Sequence, residues 1–294
     1  MCRPGQTDAS DNDPNVAAQK KNDESGAVPS GFQRRRKLVE LGLVGLSAIY
    51  GFVYYLNPNI VVSSRYCNAG EEQCLRSDLL AFKAASLAAM AIMGLMGFYH
   101  WHLNPQLAQL SKGTPEDRLF AYLPAADYQN VASFCYQLWD LIISLAIPEH
   151  ADPIFLVHHF LAATTAYCSL EYQIFPYYSI FYGGCSEFSS IFLVFLDKHE
   201  FFVVEKGSLM DQWMLVCKGM FFLTFSFYRI FGWIYYSFPL WKDCLTVLNS
   251  GALEQHRPGK AHFMKMFLGL DVLLGALQLY WYFDILKAAM AIVQ

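Results

Sequence analysis

The chain alternates between long apolar stretches and shorter polar segments, and seven of the apolar stretches are long enough to cross a membrane as helices. A transmembrane helix needs about 20 mostly apolar residues to span roughly 30 Å of hydrocarbon. The stretches lie, to within a few residues at each end, at residues 38–56, 79–101, 130–147, 153–171, 174–196, 212–238 and 263–290. This pattern predicts an all-α, polytopic membrane protein with about seven transmembrane helices.

The polar segments between these stretches predict which helices are neighbours. A polar loop over residues 105–129 separates the second stretch from the third. Residues 148–152 join the third stretch to the fourth, and only Tyr172 and Gln173 join the fourth to the fifth. Connections this short hold consecutive helices side by side and antiparallel.

The amino-terminal segment has a composition typical of disorder and ends in a basic cluster. Residues 1–33 contain almost no large apolar side chains, so they cannot bury enough surface to offset the entropy of ordering. The cluster from Arg34 to Lys37 favours the cytosolic side of a membrane. We therefore expect a disordered cytosolic tail over residues 1–36 and a first transmembrane helix over residues 37–57. The apolar run of this helix is too long for the apolar core of a cleaved signal peptide, so we expect the helix to remain as a membrane anchor.

Composition supports a membrane protein rather than a soluble one. Hydrophobic residues make up 55% of the 294 residues, charged residues 16%, and the mean hydropathy is +0.25. Soluble domains carry about 25% charged residues because a polar shell must cover their core. The net charge of −4 leaves no dense basic surface, so no nucleic-acid partner is expected.

Two of the eight cysteines lie in a polar loop rather than in an apolar stretch. Cys67 and Cys74 flank this loop between the first two predicted helices. If the loop faces an oxidising lumen, a disulfide that closes it is one interpretation, and two free thiols are the other.

Ionisable and amide side chains recur inside the predicted membrane helices, where each charge costs about 2.5–3.5 kcal/mol to insert. The set consists of Gln137, Asp140, His158, His159, Tyr182, Glu187, Lys218, Arg229, Asp271 and Gln278. Lys218 and Arg229 are eleven residues apart, which at 100° per residue puts them on nearly the same helix face. One interpretation is a functional interior in which these groups meet around a shared cavity. The other is a set of structural ion pairs that hold a bundle together.

The histidine pair suggests a specific chemistry. A carboxylate such as Asp140 can orient an imidazole, and His158 or His159 could then act as the general base for a hydroxyl or amine that attacks a thioester. Arg229 or Lys218 could bind an anionic headgroup or a coenzyme A phosphate. No metal site is expected, because repeated histidine clusters are missing and adjacent histidines point about 100° apart on a helix.

Four segments, in this order, resemble the TLC domain, which is shared by translocating-chain-associated membrane proteins, ceramide synthases and the CLN8 protein. They are Tyr-Gln-Leu-Trp-Asp140, Leu-Val-His158-His159-Phe, Gly-Gly-Cys-Ser-Glu187-Phe-Ser-Ser and Phe-Tyr-Arg229-Ile. The resemblance covers about residues 79–290. It implies a six-helix barrel in the endoplasmic reticulum membrane, with the histidine pair facing its interior.

The chain departs from ceramide synthases at two places. They carry a second His-Asp where this chain has Cys185-Ser186-Glu187, and a threonine where it has Ala162. It is thus more similar to the TLC-domain-containing subgroup, several of whose members are linked to membrane phospholipid composition.

What the resemblance implies is a protein that binds or modifies membrane lipids and influences lipid homeostasis, with Tyr182, Glu187, Lys218, Arg229 and Asp271 contacting the lipid. One alternative is a ceramide-synthase-type N-acyltransferase, with His158, His159 and Asp140 as catalytic residues and with acyl-CoA and a sphingoid base as substrates. A second alternative is a non-enzymatic trafficking adaptor or chaperone.

Overall fold

A computed structural model describes residues 30–63, 67, 73–198 and 205–293. Most of the predicted tail, residues 1–29, lies outside this range. The first helix starts at Gly31 and not near residue 37, so the expected boundary of the tail was wrong. The reason is a capping box: the Ser30 side chain accepts from the Gln33 backbone N–H, and the Gln33 side chain accepts from the Ser30 N–H.

Twelve α-helices and two short strands make up most of the described chain. The helices are α1 Gly31–Leu56, α2 Ser77–Leu103, α3 Pro105–Leu110, α4 Pro115–Phe120, α5 Pro124–Ala146, α6 Pro153–Tyr172, α7 Pro176–Tyr182, α8 Phe188–Lys198, α9 Leu209–Thr224, α10 Trp233–Ser250, α11 Ala252–His256 and α12 Ala261–Val293. Two 3-10 turns occupy Pro148–His150 and Cys185–Glu187, and a π-helical segment, Phe225–Gly232, joins α9 to α10. The strands are β1 Val61–Ser63 and β2 Gln73–Leu75.

Six helical segments of the described chain are long and apolar enough to cross a membrane, which confirms an all-α polytopic membrane protein. They are Gly31–Leu56, Ser77–Leu103, Pro153–Tyr172, Pro176–Leu196, Leu209–Ser250 and Ala261–Met290. The remaining predicted stretch is α5, which forms a helix but falls short in hydropathy. It carries several polar side chains, among them Asp127, Gln129, Asn130, Gln137 and Asp140, and all five are buried in the protein.

The ends of α5 lie level with the ends of its neighbours. Near its start, Asp127 accepts from Arg35 of α1 at 2.9 Å. Just past its end, Glu149 pairs with Arg76, the residue that precedes α2. The end of α1 and the start of α2 lie together, because Ser77 Oγ donates to the Asn57 carbonyl. Helix α5 therefore runs from the start of α1 to the level of this junction, the full length of α1. Its 23 residues span roughly 34 Å, enough for a bilayer core.

The helices after α1 close into a ring. Helix α2 packs against α5, α5 against α6, and α6 against α12. Helix α12 packs against the π segment and α10, α9 packs against α8, and α8 returns to α2. This is the six-helix barrel that the resemblance implied, with α7–α8 and α9–π–α10 each forming one wall. Helix α1 lies outside the ring against α2 and α5, and buries only Gly31, Val39 and Leu46.

The two ends of the barrel are built differently. At one end, β1 pairs antiparallel with β2, and the Cys67 and Cys74 sulfur atoms lie 2.10 Å apart in a disulfide. At the opposite end, Arg118 of α4 donates to both oxygens of Asp243 at 2.6 and 2.7 Å, and Tyr178 donates to the same carboxylate at 2.6 Å. These bonds fix the polar loop between α2 and α5 to α7 and α10.

Candidate functional site

A cavity of about 830 Å³, counting its opening, lies inside the ring between α5, α6, α7, the π segment, α10 and α12. Small and apolar side chains form much of its wall, among them Ala162, Ala166, Phe175, Trp233, Phe267 and Leu274. Its polar wall includes Gln137, His158, Tyr182, Glu187, Arg229, Asp271 and Gln278. Several of the residues that the sequence predicted to share a chamber therefore do share one.

Glu187 and Arg229 form a buried ion pair on this wall. Arg229 Nη2 lies 2.8 Å from Glu187 Oε2, and both residues are 6% exposed. The 3-10 turn that contains Glu187 and the π segment that contains Arg229 bring the two charges together. Ser190 lies between them, since its hydroxyl donates to Glu187 at 2.8 Å and accepts from Arg229 at 2.7 Å.

Protein groups accept hydrogen bonds from all three nitrogens of the Arg229 guanidinium. Its Nε donates to the Ser186 carbonyl and the Ser189 hydroxyl at 2.8 and 3.0 Å, and its Nη1 donates to Gln278 Oε1 at 3.1 Å. Each of its three nitrogens is thus engaged, and together they link three segments of the barrel. A side chain held this way stabilises the barrel wall and has little capacity left for an anionic ligand.

Asp140 and His159 form a second polar cluster, close behind the cavity wall. Asp140 accepts from the Tyr136 hydroxyl at 2.7 Å and from the Ser144 hydroxyl at 2.9 Å, and its Oδ1 lies 3.2 Å from His159 Nε2. The other ring nitrogen of His159 lies 2.5 Å from Gln137 Oε1. Both ring nitrogens of His159 therefore face protein oxygens, so neither is free to contact a ligand in the cavity.

His158, in contrast, lines the cavity directly. Its ring makes edge contacts with His159 and Trp281, at centroid distances of 5.4 and 5.1 Å. Its Nδ1 atom is screened from solvent and has no hydrogen-bond partner among the described residues. The adjacent histidines therefore occupy different environments, as their 100° separation on α6 requires.

Asp271 lies in another part of the cavity, together with aromatic side chains. Its Oδ1 accepts from the Ser237 hydroxyl at 3.0 Å and its Oδ2 from the Trp241 indole N–H at 3.0 Å. The Tyr182 hydroxyl is 3.1 Å from that of Ser237 and is itself a hydrogen-bond partner of the Asp271 carboxylate. Trp233 donates to the Asp271 backbone carbonyl at 3.3 Å.

Lys218 does not belong to the site, and the prediction that it shares a face with Arg229 was wrong. Lys218 is exposed on the outside of α9, whereas Arg229 is buried. The prediction assumed 100° per residue throughout, but the chain enters the π segment at Phe225. A π turn closes i→i+5 hydrogen bonds and holds more residues than an α turn, so the phase of the two residues differs.

Several residues of the site were not anticipated. Ser190, Ser237, Trp233 and Trp241 contact the predicted acids, but hydroxyls and indoles are common in membrane helices and gave no signal. The backbone of Gly184 packs closely against Gly97 of α2. Among the described residues, no three His, Cys, Asp or Glu side chains are grouped as a metal would require.

A family model of the TLC domain, TRAM/LAG1/CLN8, matches residues 82–287. Searches of curated proteins and of solved structures found no match. The matched residues cover well over half of the 294-residue chain and contain the whole cavity wall described above. The chain therefore belongs to the TLC domain family of membrane proteins.

Proposed function

We propose that this protein binds or modifies a membrane lipid inside its barrel and thereby influences membrane lipid composition. The observation that carries the proposal is the cavity of about 830 Å³ within a ring of membrane-spanning helices. Ligand pockets typically combine apolar walls with a few polar groups. Apolar walls suit a hydrocarbon chain, and the polar groups suit a headgroup.

The lipid hypothesis has a direct test in a substitution that fills the cavity. Ala162→Phe adds a ring to the cavity wall, so purified protein should carry several-fold less co-purified lipid than the wild type, as measured by mass spectrometry. Val157→Phe is the matched control, because Val157 is 53% exposed on the outer face of the same helix. Equal amounts of lipid in both variants, with both folded, would refute binding in this cavity.

A ceramide-synthase-type acyltransferase is the second candidate, and the environment of His158 favours it. A base must be free to take a proton, and His158 has an unpartnered Nδ1 beside the cavity, while Asp140 holds the neighbouring His159. Acyl-CoA would be the donor. Because all three Arg229 nitrogens are held by protein groups and Lys218 is outside, the coenzyme A phosphates would need to bind beyond the cavity.

A shallow depression at the α4–α6 end of the barrel offers such a position. It shares Asn130 and Ser169 with the cavity and contains Arg257. Arg257 donates to the Tyr172 and Gln173 carbonyls at 2.7 and 3.1 Å. Burial lowers the pKa of Arg257, and the nearby charge of Arg34 lowers it further. The depression also contains Asp127, whose carboxylate pairs with Arg35, so a phosphate bound there would depend on Arg257 and Arg34.

The enzyme hypothesis is tested on the same purified protein. Transfer of a labelled acyl chain from acyl-CoA to a long-chain base or lysolipid, lost in His158→Ala, would support it. Lipid without turnover would support a binding protein. If neither is observed, the remaining interpretation is a trafficking adaptor or chaperone.

We further propose that the amino terminus is cytosolic and that the protein resides in the endoplasmic reticulum. The basic cluster at the start of α1 suits the cytosolic side, and the Cys67–Cys74 disulfide, at the opposite end of the barrel, suits an oxidising lumen. Lys112, Arg118 and Lys260 belong to the connections on the proposed cytosolic side.

This orientation predicts a compartment-specific response of the disulfide. Among the described residues, Cys67 and Cys74 are bonded and five cysteines are free, so these five should react with maleimide after denaturation without reductant, and the bonded pair should not. A membrane-impermeant reductant added to sealed vesicles should leave the number of reactive thiols unchanged, and permeabilisation should raise it by two, from Cys67 and Cys74. The control Cys74→Ser releases Cys67 and should react without reduction. Reduction in sealed vesicles would contradict a lumenal hairpin.

A further inference from the structure

Three side-chain amides on the cavity wall carry hydrogen-bonding groups that no described protein group uses. Asn130 is 6% exposed, and its side chain makes no hydrogen bond to any other described residue. Gln278 accepts from Arg229 through Oε1, so its NH₂ group is left without an acceptor in the described chain. Gln137 uses one end of its amide on His159, and the other end is likewise unused. Buried amides in this state are costly unless a ligand or water satisfies them.

The three amides are distributed along the cavity rather than gathered at one point. Asn130 and Gln137 are seven residues apart on α5, about two helical turns, which places them on one face roughly 10 Å apart. Gln278 lies at the same end of the cavity as Gln137. Trp281, which is one turn beyond Gln278 on α12, contacts the His158 ring at a centroid distance of 5.1 Å, and Gln137 contacts the other histidine of the pair. Free amide groups thus occur over about 10 Å of the cavity.

His158 adds an unpartnered ring nitrogen at the end that holds Gln137 and Gln278. An imidazole nitrogen without a proton accepts a hydrogen bond from a hydroxyl group, and amide NH₂ groups donate to carbonyl or hydroxyl oxygens. The free groups of the wall therefore match a ligand that presents several oxygen atoms, one of them as a hydroxyl.

The charged side chains of the wall offer no counter-charge to a ligand. Glu187 and Arg229 pair at 2.8 Å, and protein groups hold all three guanidinium nitrogens. The Asp271 carboxylate has four side-chain donors, namely Ser237, Trp233, Trp241 and Tyr182. These fill the roughly four acceptor positions of a carboxylate. A charged head group would lose its hydration in this cavity without gaining a partner of opposite charge.

From these observations we infer that the cavity takes an uncharged acylglycerol, whose ester and hydroxyl groups bind the free amides of Asn130, Gln137 and Gln278. A fatty alcohol or a sterol has a single hydroxyl and would satisfy only one of these positions, whereas a glyceride presents oxygens along its whole glycerol unit. The inference rests on the proposed function and adds the ligand class. It also replaces the expectation of an anionic head group at Arg229 or Lys218, because Arg229 is held by protein groups and Lys218 lies outside.

Four ligands with the same hydrocarbon chain and different polar ends test the inference. Purified full-length protein in an uncharged maltoside detergent is titrated with radiolabelled mono-oleoylglycerol, with its phosphate ester, with oleylamine and with oleyl alcohol. The wild type should bind mono-oleoylglycerol at least about tenfold more tightly than each of the other three ligands.

Asn130→Leu distinguishes an amide that serves a ligand from one that serves the fold. Leucine has a similar volume, and the amide that it replaces makes no bond within the described protein. The ligand-free variant should therefore resist denaturing detergent at least as well as the wild type, while its affinity for mono-oleoylglycerol falls at least about fivefold.

Gln129→Leu is the matched control, because Gln129 is the preceding residue of α5, is fully buried and donates to the Gly183 carbonyl. This variant should lose stability and keep the wild-type order of ligand affinities.

The outcomes separate this inference from the proposed function. Binding of the phosphate ester or of oleylamine as tightly as mono-oleoylglycerol would overturn the inference and leave lipid binding intact. Equal affinity for mono-oleoylglycerol and oleyl alcohol would overturn the role of several amides. Failure of the wild type to bind any of the four would overturn the proposed function as well. Loss of stability in Asn130→Leu with unchanged affinity would show a structural amide and contradict the assignment. If Asn130→Leu does not fold, the four wild-type affinities decide the question.

Discussion

Replacement of Arg229 by alanine is expected to lower the free energy of unfolding by about 3–5 kcal/mol, the largest effect of any single change considered for this protein. The substitution would leave Glu187 buried at 6% exposure without its cation. It would also remove donors from the Ser186 carbonyl and from Gln278, so three segments of the barrel would lose their common partner. Breaking one side of a buried pair costs more than the pair contributes when intact, because the remaining charge cannot be rehydrated.

The measurement is loss of helical circular dichroism during titration of mixed micelles with a denaturing detergent. Lys218→Ala is the control, since that side chain is exposed on the same long helical wall and should change stability by no more than about 0.5 kcal/mol. A double substitution, Glu187→Met with Arg229→Met, should recover much of the loss because no isolated charge remains. A change of less than about 1 kcal/mol in Arg229→Ala would contradict the structural role of the pair.

The second large effect is expected from Gly97→Ala. A Cβ at this position would lie 2.3 Å from the Gly184 carbonyl carbon and 2.4 Å from its Cα. Both are backbone atoms, so no side-chain rotation can relieve the clash, and α2 must move away from the 3-10 turn. We expect a loss of about 1–3 kcal/mol or more. Because Glu187 belongs to that turn, lipid binding should weaken as well.

Gly45→Ala provides the matched control for this prediction. Gly45 lies within α1, and a Cβ there would meet nothing within 4 Å. Alanine is favoured over glycine in helix interiors by about 1 kcal/mol, so this variant should be as stable as the wild type or slightly more stable. Equal stability of Gly97→Ala and Gly45→Ala would show that α2 and the turn are not held in close contact.

Much of the architecture could be predicted from the long apolar stretches, because a bilayer requires about 20 mostly apolar residues in each helix that crosses it. Six apolar stretches correspond to helices that qualify as membrane spans. Helix α5 was also found, although its buried polar residues reduce its hydropathy, because the apolar part after Asn130 was long enough to register. The capping residues Ser30 and Gln33 indicate the early start of α1, but the polar composition around them favoured the prediction of a disordered tail.

The site could be predicted only where local geometry was sufficient. The rotation of 100° per residue along a helix correctly predicted that the His158 and His159 side chains point in different directions on the regular helix α6. The same rule failed for Lys218 because nothing in the residues before Phe225 marks a π segment. The partners of Asp271, Ser237 and Trp241, are 34 and 30 residues away in sequence and meet it only after the barrel closes. Such contacts form between residues far apart in the chain, so local sequence patterns do not predict them.

The π segment also determines how this chain can be compared with relatives. Each π hydrogen bond encloses one residue more than an α hydrogen bond does, so Phe225–Gly232 shifts the register of the whole wall that follows. An alignment displaced by a single position within this segment would turn every later residue of α10 by about 100°. It would match cavity residues such as Trp233 and Leu240 with positions that face hydrocarbon in another protein. Transfer of binding residues across that boundary is therefore reliable only when Arg229 itself is the fixed reference point.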